Sequence, residues 1–440
     1  MEQFEEFAAR PGCVWLDTAS GEGVSLLAAE PAKVFRAKGE RGVFDRLRAE
    51  LEGWRGYAIG YFGYDLKNEI ERLPAHAVDD LGLPDCWFGF YDDVQVFHRT
   101  VTPQYSSAPA LQHSNPTLRS NFTRESYRAM VLRAKEYIAA GDVYQVNLSQ
   151  RFQCEVTAPA PEVYRALRAW NPAPYGAYLD IGDAQILSTS PECFLNIRDR
   201  HVVTRPIKGT RARQAVVERA SRPFDAAWNT GETPVPLDRT GGTPVLPDDL
   251  AIRELLRSPK DNAELLMITD LERNDLGKVC EFGSVFVSEL RRVETFATVH
   301  HLVATVEGRL RRDVSHVDCL RTCFPGGSIT GAPKIRAMEI IDELEPHARG
   351  VYCGAIGYFG PNGRSQFNIA IRTVVYVGRA SRLSSDMHQR GGTPVLPAGG
   401  RLTFHAGGGI VADSEPEAEY DETLAKARGI LHAIDQLRVC

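Results

Sequence analysis

The sequence predicts a mixed fold in which β-strands and helices both contribute. Residues 1–100 alternate short β-rich runs with glycine-bearing turns, the pattern of a sheet-forming region. Two apolar, β-branched runs within 188–211 flank a polar turn at 198–200, so we expect a β-hairpin with a three-residue connection there. Apolar residues recur at helical spacing over 127–138, and Gly141 is placed to end that helix.

The composition is that of a globular protein, with 440 residues of which 43% are hydrophobic and 25% are charged. The net charge of −6 disfavours nucleic acid as a partner, because nucleic-acid binders carry basic surface. The sequence contains no apolar run of about 18 residues, so no membrane span is predicted. The acidic N-terminus is unlike a signal peptide. The nine cysteines lack a Cys-x-x-Cys spacing, so we expect reduced thiols in a cytoplasmic protein.

A repeated segment interrupts the pattern in two places. The heptapeptide Gly-Gly-Thr-Pro-Val-Leu-Pro occurs identically at 241–247 and 391–397. Because proline removes hydrogen-bond donors from strands and stops helices, we interpret 222–248 and 380–400 as Pro/Gly-rich surface insertions outside the core. The Pro- and Ser-rich residues 101–120 are expected to form a linker or a long surface loop.

The predicted hairpin has a carboxylate and an amine at its open end. Glu192 begins one strand and Lys208 ends the other, so folding at the turn brings the two together. A carboxylic acid beside a lysine can supply a proton donor and a nucleophile or base. Arg205 and Arg211 are close in sequence, so like charge together with partial burial would lower the pKa of the lysine. Gly209 lets the backbone approach a ligand. The alternative is a surface hairpin with solvated charges.

Acidic pairs occur on two predicted helices. Asp261 and Glu264 are three residues apart on one helix, and Glu419 and Glu422 have the same spacing near the C-terminus. Residues at this spacing lie on one face of a helix. Two such pairs suit a hard cation with oxygen ligands, and Mg²⁺ is the expected ion. The alternative is that both pairs are solvated helix faces.

Two glycine-rich segments are predicted to be turns that bind anions. The segment 324–336 has Walker-type glycine spacing, but Ala332 stands where a phosphate-binding loop needs lysine, so nucleotide binding is disfavoured. A glycine-rich turn that leads into a helix can still bind an anion through its free N–H groups. The second segment, 406–410, precedes the acidic C-terminal helix. Together with the cations and the expected metal, these turns suit a small dicarboxylate substrate with a leaving group.

In their order along the chain, these segments resemble the motifs of the chorismate-utilising enzymes. The motifs are Ser190-Pro-Glu, Pro206-Ile-Lys-Gly-Thr-Arg, Asp270-Leu-Glu-Arg-Asn-Asp, His301-Leu, Gly327-Ser-Ile-Thr-Gly-Ala-Pro-Lys, and Gly408-Gly-Ile followed by Glu419 and Lys426. We therefore expect a chorismate-binding catalytic region over 120–440, after an N-terminal sheet-forming part over 1–115. The resemblance implies an α+β fold in which two mainly antiparallel β-sheets pack on each other, with helices outside.

The resemblance also implies a site for chorismate and Mg²⁺. Lys208 would attack C2 of the ring while Glu192 protonates the departing C4 hydroxyl, and ammonia would then add at C4 to give 4-amino-4-deoxychorismate, the precursor of p-aminobenzoate and folate. The substrate-binding residues would be Thr210, Gly209, His301, Tyr352, Arg372, Gly407, Gly408, Gly409 and Lys426. The metal ligands would be Glu264, Glu419 and Glu422, with Asp261 secondary. A separate glutamine amidotransferase subunit would supply the ammonia, and a downstream aminodeoxychorismate lyase would use the product.

Two positions separate the activities known in the family. Members that add water to chorismate carry a lysine base where this chain has Gln145, and a neutral amide cannot take a proton from water, so isochorismate synthesis is disfavoured. Members that form anthranilate carry alanine where this chain has Lys208, so amination at C4 is expected instead. Anthranilate synthesis is the main alternative. A non-catalytic chorismate-binding paralogue is the other, and it would be expected to lack Glu192 or a metal carboxylate.

Overall fold

The computed structural model describes residues 2–19, 23–99, 118–213, 247–296, 299–378 and 399–437. The insertions predicted at 222–248 and 380–400 lie outside the described residues, apart from their last two residues in each case. Residues 100–117 lie outside them as well, so the division of the chain near 115–120 stays a prediction. In the described part of the chain, no helix is long and apolar enough to cross a membrane.

Twenty strands are described, numbered in chain order. They are β1 (Val14–Asp17), β2 (Gly23–Ala28), β3 (Lys33–Ala37), β4 (Tyr57–Phe62), β5 (Cys86–Tyr91), β6 (Gln95–Arg99), β7 (Arg119–Ser120), β8 (Gln145–Val156), β9 (Tyr175–Asp180), β10 (Gln185–Ser190), β11 (Cys193–Arg198), β12 (His201–Arg205), β13 (Ile207–Ala212), β14 (Phe286–Thr295), β15 (Val299–Arg309), β16 (Gly331–Ala332), β17 (Ala355–Gly360), β18 (Arg364–Ile369), β19 (Thr373–Gly378) and β20 (Gly400–Ile410).

The strands form two ten-stranded sheets. The first sheet has the order β16-β8-β20-β19-β10-β9-β1-β2-β6, with β7 added beside β8. The second has the order β13-β15-β12-β11-β18-β17-β4-β5-β3, with β14 added beside β15. Every pairing between these strands is antiparallel. Strands from the first 99 residues enter both sheets, so the N-terminal part is woven into the same sheets as the rest.

Ten helices are described. They are α1 (Glu2–Ala8), α2 (Val43–Leu51), α3 (Lys67–Ile70), α4 (Arg124–Ala139), α5 (Ala160–Trp170), α6 (Pro247–Arg257), α7 (Pro259–Gly277), α8 (His316–Cys323), α9 (Lys334–Leu344) and α10 (Pro416–Gln436). The helix expected over 127–138 is α4, which starts at a capping box formed by Thr123 and Ser126. It buries Tyr127 and Met130, which lie on the apolar face that we predicted.

One hydrophobic core lies between the sheets, and others lie on their outer faces. Between the sheets, Leu179 and Ile186 of the first pack with Ile59 and Ile356 of the second. The outer face of the first sheet is covered by α1, α5 and α10, and that of the second by α2 and α8. The expected fold, two antiparallel sheets packed on each other with helices outside, is confirmed.

Candidate active site

The predicted hairpin is present, with two differences. Strand β11 pairs with β12 through Arg198 and His201, so the connection has two residues and not three. Asp199 in this turn has a left-handed backbone with φ of 55°, which aspartate tolerates better than most residues. Lys208 lies not on β12 but on the next strand, β13, which pairs with β15. Pro206, which has no N–H group for a ladder, separates the two strands.

Glu192 is buried beside the start of β11, with 4% of its surface exposed. Burial raises the pKa of its carboxyl to about 7, and a hydrogen bond from Ser328, the charge of Lys208 and a hydrogen bond from the backbone of Ile207 oppose that rise. An acid with a pKa near neutrality holds its proton at physiological pH and can still release it. Glu192 is therefore suited to be a general acid.

Ser328 belongs to a 3₁₀ turn, Gly327–Ile329, that is anchored to α7. The N–H group of Gly327 donates to Glu272 Oε1 of α7 at 3.0 Å. The carboxylate of Glu272 therefore accepts a hydrogen bond from the glycine-rich segment 324–336, where we had expected an anion from outside the chain to bind. Neither Ser328 nor Glu272 was among the predicted site residues. The sequence signal for Ser328 was its position directly after two glycines. That position does not tell where its hydroxyl points.

Lys208 is half-buried on β13, and its charged neighbours include Glu192, Glu264 of α7 and Glu422 of α10. Burial lowers the pKa of its ammonium group. The charge of Lys426 lowers that pKa further, while Glu264 most strongly, and then Glu192 and Glu422, oppose the shift. The structure thus brings the two predicted catalytic residues and two of the predicted metal ligands into one electrostatic neighbourhood.

The arginines that flank Lys208 in sequence are paired with acids. Arg205 forms an ion pair with Glu294, and Arg211 forms one with Asp261 at 2.8 Å. Their charges are therefore compensated, and burial is the main cause of the lowered pKa of Lys208. The predicted direction of the shift is confirmed. Of the two causes that we expected, partial burial is the main one, and the charges of Arg205 and Arg211 are not.

Thr210 and His301 face each other across the β13–β15 pair. The Thr210 hydroxyl and His301 Nδ1 are hydrogen-bonded at 2.9 Å. Burial, followed by the charge of Arg372, lowers the pKa of His301 to about 3, so its ring is neutral at physiological pH. Its Nε2 atom is buried and has no hydrogen-bond partner among the described residues. A buried ring nitrogen of this kind is free for a ligand.

Gly209 lies between these residues, at a bulge in β13, with φ of 77°. A Cβ atom added there would lie 3.0 Å from the side chain of Asp261. The glycine therefore lets β13 approach α7, and its expected role in substrate binding stays a prediction.

The four predicted metal ligands come from α7 and α10. Glu419 is buried, and it accepts a hydrogen bond from Ser414 at 2.6 Å. A Cβ atom added at Gly408 would lie 3.2 Å from Glu419 and 3.5 Å from Glu422, so both carboxylates face the same glycine. Glu264 has a raised pKa, first because it is buried.

Asp261, the fourth predicted ligand, is already held by Arg211. Throughout the described ranges, no three His, Cys, Asp or Glu side chains are close enough together to hold a metal ion. The donor chemistry of the three glutamates still fits a hard cation, which prefers carboxylate oxygen. The assignment of all four residues to a metal stays a prediction.

Arg372 lies close enough to His301 for its charge to affect that ring, and Tyr352 packs against β20. The guanidinium of Arg372 has no side-chain hydrogen bond or ion pair among the described residues, and burial lowers its pKa. Tyr352 is buried and stacks on His405 with ring centroids 4.9 Å apart. An unpaired, half-buried arginine is suited to bind a carboxylate.

The segment Gly407–Gly409 lies inside strand β20 and is not the turn that we predicted. It pairs with β8, and the packing is too close for side chains. A Cβ atom at Gly407 would lie 2.4 Å from the carbonyl oxygen of Leu148, and one at Gly409 would lie 2.2 Å from Gln145 Nε2. The glycines are therefore explained by close approach and not by chain reversal.

The other edge of this glycine segment is open. Strand β19 pairs with β20 only as far as Phe404, so no described strand covers that edge of Gly407–Gly409. Lys426 reaches it and donates to the Gly407 carbonyl at 2.8 Å. Gln145 is fully buried beside it, and neither polar atom of its side chain has a partner among the described residues. The uncovered edge and the unpaired side chain of Gln145 make this region suitable for a polar ligand.

Comparison with known proteins identifies the class to which this site belongs. The chain matches the family of chorismate binding enzymes over residues 11–432. It therefore belongs to the chorismate binding enzyme family. The expected family and the expectation of an enzyme are confirmed, and the match also includes the N-terminal strands, where we had identified no motif.

Particular relatives narrow the comparison further. The chain is 40% identical to aminodeoxychorismate synthase component 1 of Klebsiella aerogenes over 94% of this chain and 85% of that protein. It is 37% identical to anthranilate synthase component 1 of Thermus thermophilus over 91% of this chain and 85% of that protein. Among solved structures, anthranilate synthase component I from Streptococcus pneumoniae TIGR4 matches with a TM-score of 0.72 and 30% identity, covering 93% of this chain and 92% of that one.

Proposed function

We propose that the chain is an aminodeoxychorismate synthase component 1, which replaces the C4 hydroxyl of chorismate by an amino group derived from ammonia. The observation that carries the proposal is Lys208, a half-buried amine with a lowered pKa whose charged neighbours include Glu192 and Glu264. The 40% identical relative of that name supports the same activity.

Substrate recognition uses the unpaired groups around the open edge of β20. Arg372, Tyr352 and the backbone of Gly407–Gly409 bind the carboxylate of the enolpyruvyl group, because a guanidinium and free N–H groups are donors for an anion. Thr210, His301 and Lys426 surround the ring. The neutral His301 offers Nε2 to the substrate without adding a charge.

Glu264, Glu419 and Glu422 are the residues that would hold Mg²⁺, and the ion would supply positive charge for the ring carboxylate of the substrate. Asp261 is secondary in this proposal, because Arg211 already engages it. The carboxylates come from α7 and α10, and the charges of Glu264 and Glu422 act on Lys208, which supports a metal site next to the nucleophile.

The chemistry divides between Lys208 and Glu192. The neutral amine of Lys208 attacks C2 of the ring, the ring double bond shifts, and the C4–O bond breaks as Glu192 gives its proton to the departing hydroxyl, which leaves as water. Ammonia then attacks C4, the double bond shifts back, and the bond from C2 to Lys208 breaks. Glu192 recovers a proton from the added nitrogen. The net reaction is chorismate plus ammonia to 4-amino-4-deoxychorismate plus water.

The partners follow from this chemistry. We propose that a glutamine amidotransferase subunit supplies ammonia and that a downstream aminodeoxychorismate lyase takes the product to p-aminobenzoate, in the cytoplasm. Anthranilate synthesis is the second candidate, favoured by the 37% identical relative of that activity. Isochorismate synthesis lacks a base, because Gln145 is a neutral amide.

The two candidates are separated by one assay. Purified protein is incubated with chorismate, Mg²⁺ and ammonium, a lyase is added, and ortho- and para-aminobenzoate are resolved by chromatography. The para product supports the proposal. Anthranilate formed without the lyase as the main product would replace it with the second candidate, and no product at any ammonium concentration would point to a non-catalytic paralogue.

A further inference from the structure

Lys260 lies in the first turn of α7, directly beside the glutamate carboxylates. Its ammonium is 3.5 Å from Glu419 Oε1, and 49% of the lysine side chain is exposed whereas the glutamate is buried. Glu419, then Glu264 and Glu422, are the acidic groups whose charges act on it. The ammonium of Lys260 is thus close to Glu419, and its charge also interacts with Glu264 and Glu422.

The other cations near these carboxylates have different partners. Lys426 pairs with Glu422 at 2.7 Å and also donates to the backbone of β20. Lys208 acts on Glu264 and Glu422 from β13 and is the proposed nucleophile. Lys260, in contrast, has Glu419 as its one close partner among the described residues. Its long, half-exposed chain can swing into solvent without breaking another contact.

We propose that the ammonium of Lys260 is the built-in counter-ion of the glutamate carboxylates, which Mg²⁺ displaces when it binds. The inference rests on the proposed function in that it takes Glu264, Glu419 and Glu422 as the metal ligands. A cation and a metal ion compete for the same oxygens, so the lysine weakens Mg²⁺ binding while it neutralises the metal-free protein. It thereby sets the Mg²⁺ concentration at which the site fills.

The direct test is the Mg²⁺ dissociation constant of the chain without substrate, measured by isothermal titration calorimetry. Lys260→Met removes the competing charge and should tighten Mg²⁺ binding about fivefold, the size of one exposed ion pair. Lys260→Arg keeps a fixed positive charge and should stay within about twofold of the parent. Without metal, Lys260→Met should unfold at a lower temperature than the parent, and Mg²⁺ should raise its Tm by a larger amount.

A matched control lies at the other end of the same helix. Lys278 is 54% exposed and pairs with the buried Asp275 at 2.9 Å, away from the three glutamates. Lys278→Met should leave Mg²⁺ affinity unchanged. An affinity for Lys260→Met equal to or weaker than that of the parent would overturn the inference.

A further variant separates this inference from the proposed metal site. Glu419→Gln should weaken Mg²⁺ binding by about tenfold or more. If Glu419→Gln binds Mg²⁺ as the parent does, the metal site itself is misplaced. If Glu419→Gln weakens binding but Lys260→Met does not tighten it, the metal site stands and the counter-ion is refuted.

Discussion

Glu192 and Lys208 each affect the protonation of the other. The charge of Lys208 lowers the pKa of Glu192, and the charge of Glu192 raises the pKa of Lys208. In both residues burial has the larger effect and the opposite sign, so the carboxyl keeps its proton to about pH 7 and the amine loses its proton more readily than usual. The pair is therefore biased towards a neutral acid and a neutral amine, the forms that the proposed reaction uses.

The raised pKa of Glu192 predicts a pH-dependent cost to stability. Below about pH 4.3 the carboxyl is protonated in both folded and unfolded states. As the pH rises towards 7, the unfolded state loses its proton first, so the folded state loses stability relative to it. Glu192→Gln has no such proton. Its free energy of unfolding relative to the parent should therefore increase by about 3 kcal/mol between pH 4.5 and pH 7.5, roughly the full effect of such a shift.

The measurement is chemical denaturation of both proteins across that pH range. Glu136→Gln, which changes an exposed carboxylate on α4, serves as the control for the loss of one surface charge. Parallel stability curves for Glu192→Gln and the parent would mean that Glu192 titrates normally in the folded protein.

The resemblance to a known family predicted the two packed sheets, and helical periodicity predicted α4. The expected proximity of Glu192 and Lys208 rested on a hairpin that does not contain Lys208, since that residue lies on β13 and pairs with β15. The sequence did not predict the surroundings of Lys208, since Glu294 lies far along the chain from its partner Arg205. Gly407–Gly409 was interpreted as a turn, because glycine runs are typical of turns. Only the contact with β8 reveals that these positions are glycines because a side chain there would collide with the neighbouring strand.

The carboxylates of α7 and α10 predict a graded response to substitution. Glu264→Gln and Glu419→Gln each remove a charged oxygen, so both should raise the Mg²⁺ concentration needed for half-maximal turnover by about tenfold or more. Asp261→Asn should have a smaller effect, because Arg211 already holds that carboxylate. Activity is measured against Mg²⁺ concentration. Normal Mg²⁺ dependence in both glutamine variants would show that the acidic pairs are only helix faces.

Because the guanidinium of Arg372 has no partner among the described residues, we expect its removal to weaken substrate binding without destabilising the fold. Arg372→Met removes a half-buried charge that has no partner among the described residues, so the free energy of unfolding should stay equal or rise. The KM for chorismate should increase about 10- to 100-fold, the size of a hydrogen bond to a charged group.

Arg349 offers the contrasting case. It is buried and forms an ion pair with Glu345 at 2.7 Å. Arg349→Met leaves that carboxylate buried and unpaired, so the protein should lose about 3–5 kcal/mol of stability. Thermal unfolding and steady-state kinetics are measured for both variants. A destabilised Arg372→Met with an unchanged KM would give Arg372 a structural role.

The central claim, that Lys208 is a nucleophile that directs ammonia to C4, is tested most directly by product identity in Lys208→Ala. With chorismate, Mg²⁺ and ammonium, this variant should make the para product at least about a hundredfold more slowly, and it opens C2 to ammonia, so any residual amination should yield anthranilate. Lys208→Arg should not restore the activity, because a guanidinium stays protonated. Intact-mass analysis of the parent during turnover should show a covalent adduct that neither variant forms. Formation of the para product at the parent rate by Lys208→Ala would contradict the account.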